Sequence, residues 1–187
     1  MSSAALASVT KSNPLWDFAT WAYAEPGVEK ACLALQNRLG VDVNMLMFCA
    51  WLAYRGSGTA HLAKSLGAAL KLSREWQRTL VEPLRSAREN LKDVIEASGL
   101  MGNDRNTAME LRERIKQCEV DMEQLQTLAF YSLVAGGTED HVATRSPAEQ
   151  KDDALNNLTV YFAATGVKLD ALGQTHVMRI LTAVFGN

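Results

Sequence analysis

Four residues in the C-terminal third, Asp152, Asp153, Asn156 and Asn157, have the types and spacing to hold a divalent cation. On a helix their carboxylate and amide oxygens would share one side, the arrangement that holds Mg²⁺ against a diphosphate, and all-α prenyl-transferring enzymes use comparable acidic pairs. No second acidic cluster of matching spacing follows, and Asp near a helix start is favoured by the helix dipole alone. Nucleophilic chemistry would need Cys32, Cys49, Cys118 or a serine to meet His61, His141 or His176, and the sequence brings no such pair together. Glu-x-x-His pairs, His-Glu-x-x-His and a glycine-rich phosphate cradle do not occur, and Gly56-Ser57-Gly58 reads as a turn between helices. His61 follows that turn without a second His or a carboxylate at ligand spacing. These residue types point to no metal and no cofactor, and they lean against an enzyme.

The elements that must position any site are helical throughout. Asn13-Pro14 caps and starts a first helix, about Pro14 to Ala24, on which Trp16, Trp21 and Tyr23 cannot all share a face. Pro26 starts a second, with Val28, Ala31, Cys32, Leu35 and Leu39 on one stripe and Gly40 as its stop. Asp42 or Asn44 caps a third, apolar almost all round from Met45 to Leu52, which places it at the centre of a bundle. Either polar residue keeps a claim on function only if its side chain points into a pocket instead of bonding a helix-start amide.

Thr59 then caps a small helix, and Ser73 a long one to about Ser98 that Pro83 should bend. Its seam is Trp76, Leu80, Leu84, Ala87, Leu91, Val94 and Ser98. A second long helix, about Asp104 to Val134, carries Ala108, Leu111, Ile115, Cys118, Met122, Leu125 and Ala129 in alternating steps of four and three. The two form an antiparallel hairpin over about residues 73–134, with Arg85 or Arg88 expected opposite Glu119. Residues 135–145 are the longest loop, closed by the capping box Ser146-Pro147-Ala148-Glu149. Two further helices follow, stopped at Gly166 and started at Asp170. The fold class is all-α, a single-domain bundle of roughly seven or eight helices over residues 13–187 with a mobile leader at 1–12.

Composition sets the outer bounds. The formal net charge of −2 over 187 residues and a hydrophobic share of 48% describe a globular chain without a general basic character. Three cysteines without CxxC spacing, each among apolar neighbours, read as buried reduced thiols of a cytoplasmic protein. No apolar segment approaches the ~20 residues of a membrane span, so membrane insertion is not expected.

Two surfaces remain. Arg74, Arg78, Arg85, Arg88 and Lys92 form one stripe of the Ser73–Ser98 helix beside an acidic stripe of Glu75, Glu82, Glu89, Asp93 and Glu96. Such a hairpin fits another protein as partner, with a homo-oligomer through the seam as a further option. Nucleic acid is disfavoured, because acid neighbours base and no aromatics are interleaved. Trp16, Trp21, Phe48, Trp51 and Trp76 could instead line a pocket for an isoprenoid or acyl chain, in a binding protein or a Mg-dependent enzyme using Asp152, Asp153 and Asn156.

Trp16, Tyr23 to Pro26-Gly27-Val28, Ala31-Cys32-Leu33-x-Leu35-Gln36, and Gly40-Val41-Asp42-Val43-Asn44-x-Leu46 with Trp51 resemble the signature of a bacterial family known as a domain of unknown function. The likeness continues through Trp76, Pro83-Leu84-Arg85, Arg88, Leu91-Lys92 and Leu111-Arg112-x-x-Ile115-Lys116, covering Leu15 to about Leu133. It implies a bacterial cytosolic helical protein and transfers no catalytic residues.

Overall fold

A computed structural model describes residues 12–135 and 145–186. The leader up to residue 11 and most of the 135–145 loop, His141 included, lie outside the described residues. Among those described, every regular element is helical: α1 (Pro14–Ala24), α2 (Val28–Leu39), α3 (Val43–Tyr54), α4 (Gly58–Trp76), α5 (Glu82–Ala97), α6 (Gly102–Ser132), α7 (Pro147–Thr165) and α8 (Ala171–Phe185). A π-helical turn, Gln77–Val81, joins α4 to α5 without a break.

The caps explain most boundaries. Asn13 Oδ1 accepts the Trp16 amide, and Asp42 Oδ1 accepts those of Asn44 and Met45. Ser146 and Glu149 satisfy each other's backbone as a full capping box. Gly40 and Gly166 end α2 and α7 at φ 66° and 72°, where an L side chain would be strained by about 1–2 kcal/mol. Pro26 lies just ahead of α2, and left-handed Gly27 makes the entry instead.

The chain divides into two compact units, with boundaries inside α4 and α6. One comprises described residues 12–73 and 127–186. Here α3 packs against α7, α1 and α2, while α2 also packs against α8. Met45 to Leu52 are buried throughout, and Phe48 stacks between Trp51 and Phe130. Burying each such large side chain contributes about 1.5–3 kcal/mol, which is why a helix apolar all round settles in the middle.

Polar side chains fix how α3 sits. Asn157 Nδ2 donates to the Cys49 carbonyl at 3.0 Å, and the Tyr161 hydroxyl accepts the Asp42 amide at 3.2 Å, one helical turn further along α7. Ser73, expected to cap a new helix, lies inside α4, and its hydroxyl donates to Asp42 Oδ2 at 2.6 Å. Nothing near Ser73 breaks a helix, and a serine with a partner of its own is tolerated there.

The second unit is the hairpin, Arg74–Gln126. Trp76 Nε1 donates to the Met122 carbonyl at 2.8 Å, Gln77 to Gln126 at 3.2 Å, and Arg85 and Arg88 meet Glu119, which fixes the antiparallel order. Pro83 lies just past a wide turn. It has no N–H, and in a regular helix its ring would collide with the carbonyl four residues earlier. The helix widens instead, and the Glu82 amide reaches back five residues to Gln77. One extra residue in the turn rotates everything beyond it by about 100° relative to the pattern before it.

Candidate functional site

That rotation decides what the hairpin shows. The seam expected at Leu80, Ala87 and Val94 lies instead at Val81, Arg88 and Ile95, one residue later, and Val81 and Ile95 are buried. On α6 the inward residues are Arg112, Glu119 and Gln126, each one place after Leu111, Cys118 and Leu125 of the expected seam. The hairpin is therefore closed by a polar layer. Glu119, buried, accepts from Arg85 Nε at 2.7 Å and Arg88 Nε at 2.9 Å, while Arg85 also reaches Glu123 at 3.2 Å. The pairing of Arg85 and Arg88 with Glu119 holds as expected; the apolar seam beside it does not.

Two corrections follow. The basic stripe is not continuous at the surface, because Arg85 and Arg88 are turned inward and held by carboxylates. Arg74, Arg78 and Lys92 remain exposed, with Arg78 3.4 Å from Glu75 and Lys92 3.9 Å from Glu96. Cys118, expected to be buried, is exposed, because the inward position beside it belongs to Glu119.

The displaced seams have a common fate. In both helices they lie one residue before the inward line, so they are turned in the same sense about each axis. In an antiparallel pair, equal turns in the same sense bring both flanks to one side. Leu80 of the π turn and Leu84, Ala87, Leu91 and Val94 of α5 thus join Leu111, Ile115, Cys118, Met122 and Leu125 of α6 in a single apolar face. Val94 is 58% exposed and Leu111 46%, and Met101, between the helices, is 82% exposed. Heptad counting found these residues but assigned them to the interior.

In the other unit, Pro14, Asp17, Phe18, Trp21, Trp51, Tyr54, Arg55 and Tyr131 line an open groove of about 600 Å³. Phe18, Trp21 and Tyr54 lean on one another with ring centroids 5.0–5.8 Å apart, and the Arg55 guanidinium lies 4.8 Å over the Trp51 ring. Asp17 is tied to Ser12 at one edge. Of the five aromatic residues proposed from sequence, the groove unites Trp21 and Trp51. Phe48 lies in the core, Trp16 is half-buried outside the lining, and Trp76 belongs to the hairpin. Phe18, Tyr54 and Tyr131 were missed, because their convergence depends on how α1, α3 and α6 pack.

The candidate cation site is not assembled. Neighbouring helix positions diverge by about 100°, so Asp152 and Asn156 face solvent while Asp153 and Asn157 face inward. Asp153 pairs with Arg145 at 3.0 Å, and Asn157 holds the Cys49 carbonyl. Among the described residues no three His, Cys, Asp or Glu side chains converge as a metal site would require. Asp42 is a helix cap, and Asn44 is buried in the first turn of α3, so neither presents a free polar site.

Burial pushes the Cys32 thiol up to about 12. Cys49 is raised further, by burial and then by the Asp42 carboxylate. Neither is a thiolate at neutral pH, and neither has the character of a nucleophile. His61 Nδ1 lies 2.7 Å from the Ser57 carbonyl, a contact within its own helix start.

Fold and surfaces together define an all-α protein with a polar-locked hairpin, and among the described residues no helix is long and apolar enough to cross a membrane. The chain belongs to the family described as Protein of unknown function (DUF2390), whose family model matches residues 14–130. No curated protein and no solved structure matches it.

Proposed function

We propose that this chain is a non-enzymatic interaction module of the bacterial cytoplasm that engages another protein chain through its hairpin. One observation carries this reading: the hairpin is closed by its own ion pairs and still leaves the apolar residues of both helices, Leu80, Val94, Leu111 and Cys118 among them, open to solvent. Contiguous apolar area of this kind is the usual mark of a protein contact. Exposed Arg74, Arg78 and Lys92 belong to its charged surroundings. Nucleic-acid binding loses its support, since two of the five basic residues it needs are turned inward. The test is affinity purification from the native host with the wild-type chain and with Val94→Glu, whose side chain is already exposed. Loss of bound protein in the variant is expected, and identical capture by both would refute the reading.

The aromatic groove supports a second reading, a binding protein for an apolar chain. Native mass spectrometry of the purified chain should then show a co-purifying ligand that is lost in Trp21→Ala. The Mg-dependent variant of that reading loses its ligands with the divergence of Asp152 and Asp153.

A further inference from the structure

We infer that the partner of the apolar hairpin face is a second copy of the same chain, docked antiparallel along α6 about a two-fold axis at Cys118. The inference rests on the interaction reading above and adds the identity of the occupant.

The residues bordering the face select this occupant. Leu111, Cys118 and Leu125 are spaced by seven residues, so a two-fold axis at Cys118 sets Leu111 against Leu125 of the second copy and Cys118 against itself. Ile115 and Met122, half-buried beside that line, then come within one residue of the same level across the axis. On the solvent side of the line stand Arg114 and Asp121. Antiparallel docking about Cys118 brings Arg114 within one residue of the level of Asp121 of the second copy, about 1.5 Å along the axis and well inside the reach of an arginine, and the symmetry makes this pair twice. Arg114 is exposed, and the Asp121 carboxylate accepts from Gln117 Nε2 at 3.0 Å on its own helix.

Parallel docking would align equal residues instead, Arg114 with Arg114 and Asp121 with Asp121, so the charges select the antiparallel order. A chance partner would have to reproduce both the apolar spacing and the reversed charge order, and the chain itself already carries them. The flank from Leu80 of the π turn to Val94 of α5 widens the same face, so the assembly is a four-helix arrangement of two hairpins.

Sedimentation of the full-length chain tests this directly. A dimer is expected in the micromolar range. Arg114→Asp should weaken it by roughly tenfold, Asp121→Arg similarly, and Arg114→Asp combined with Asp121→Arg should restore it, since the swap recreates both pairs. A short bis-maleimide should join the two chains through Cys118, and Cys118→Ser should abolish the product. Helicity by circular dichroism in each variant separates lost docking from lost folding.

A wild-type chain that stays monomeric, or a dimer indifferent to Arg114→Asp and not joined through Cys118, overturns the self-pairing. The broader reading is judged separately. A monomer that captures a different protein, with capture lost in Val94→Glu, overturns only the self-pairing. A monomer whose capture is the same in Val94→Glu overturns both.

Discussion

Replacing Glu119 by Leu should loosen the hairpin far more than any other exchange of one surface-type residue in this chain. The Glu119 side chain is 8% exposed and receives Arg85 Nε at 2.7 Å and Arg88 Nε at 2.9 Å. Each charge-assisted hydrogen bond contributes about 1.5–3 kcal/mol, so the two together set an upper bound of about 3–6 kcal/mol. The arginines are 25% and 19% exposed, and that opening to water lets them recover part of their solvation. The expected loss is therefore about 2–4 kcal/mol for Glu119→Leu. Glu119→Gln, which keeps shape and one acceptor, should lose about 1–2 kcal/mol. The charges are costly mainly when stranded, so Glu119→Leu combined with Arg85→Met and Arg88→Leu should recover most of the loss. Hydrogen exchange read by mass spectrometry reports local opening free energies for α5 and α6 separately from α3. A Glu119→Leu cost below about 0.5 kcal/mol, or a triple variant no more protected than the single one, would refute the view that this carboxylate holds the helices in register.

Other expectations follow from the same geometry. In the folded chain, diluted below the range in which Cys118 pairs with itself, a maleimide should label Cys118 alone among the three cysteines, with Cys32 and Cys49 reacting only on unfolding; rapid native labelling of Cys49 would contradict its burial. Tyr161→Phe strands the Asp42 amide and should cost about 1 kcal/mol in urea denaturation, and Asp42→Ala, which removes a cap and the Ser73 contact, about 2–3 kcal/mol; the reverse order would be inconsistent with Asp42 as the hub. The Asp170 carboxyl is held below its ordinary range, first by the Gly173 amide and then by Arg38. A folded pKa below the unfolded one contributes stability above the usual aspartate range and loses it as pH falls through the lowered value. The Gly173 amide shift should accordingly titrate with a midpoint below that of a free aspartate, and a midpoint at or above it would rule the contact out.

Much of the fold was legible because caps act locally. Asn13, Asp42, Gly40, Ser146, Glu149, Gly166 and Asp170 announce their helix ends through side-chain oxygens or a missing Cβ, and α3 announces its burial by having no polar face. The hairpin was legible in order but not in phase. A heptad count assumes constant pitch, and Pro83 changes the pitch upstream of itself, so Leu80 and Val94 were assigned inward while Val81 and Ile95 occupy those places. On α6 the count favoured apolar Leu111 and Cys118, whereas matched charges on the facing helix draw Glu119 inward. The aromatic groove was half legible, since Trp21 and Trp51 are conspicuous by type but Tyr131 joins them only through tertiary packing. Asp153 and Asn157 looked like ligands and are structural, a distinction set by which helix α7 lies against.

The wide turn at Gln77–Val81 also bears on how relatives of this chain should be aligned. A π turn is what a single-residue insertion leaves when a helix absorbs it without breaking. A relative shorter by one residue between Trp76 and Pro83 would resume regular pitch, and its downstream side chains, aligned across the gap, would face as they do here. In such a relative the counterparts of Val81, Arg85, Arg88 and Ile95 would still line the interior, each numbered one place earlier. A gap of one in that column would thus mark two lineages that differ in the turn and keep the same hairpin face, whereas an alignment without the gap would put Leu80 and Val94 against interior residues.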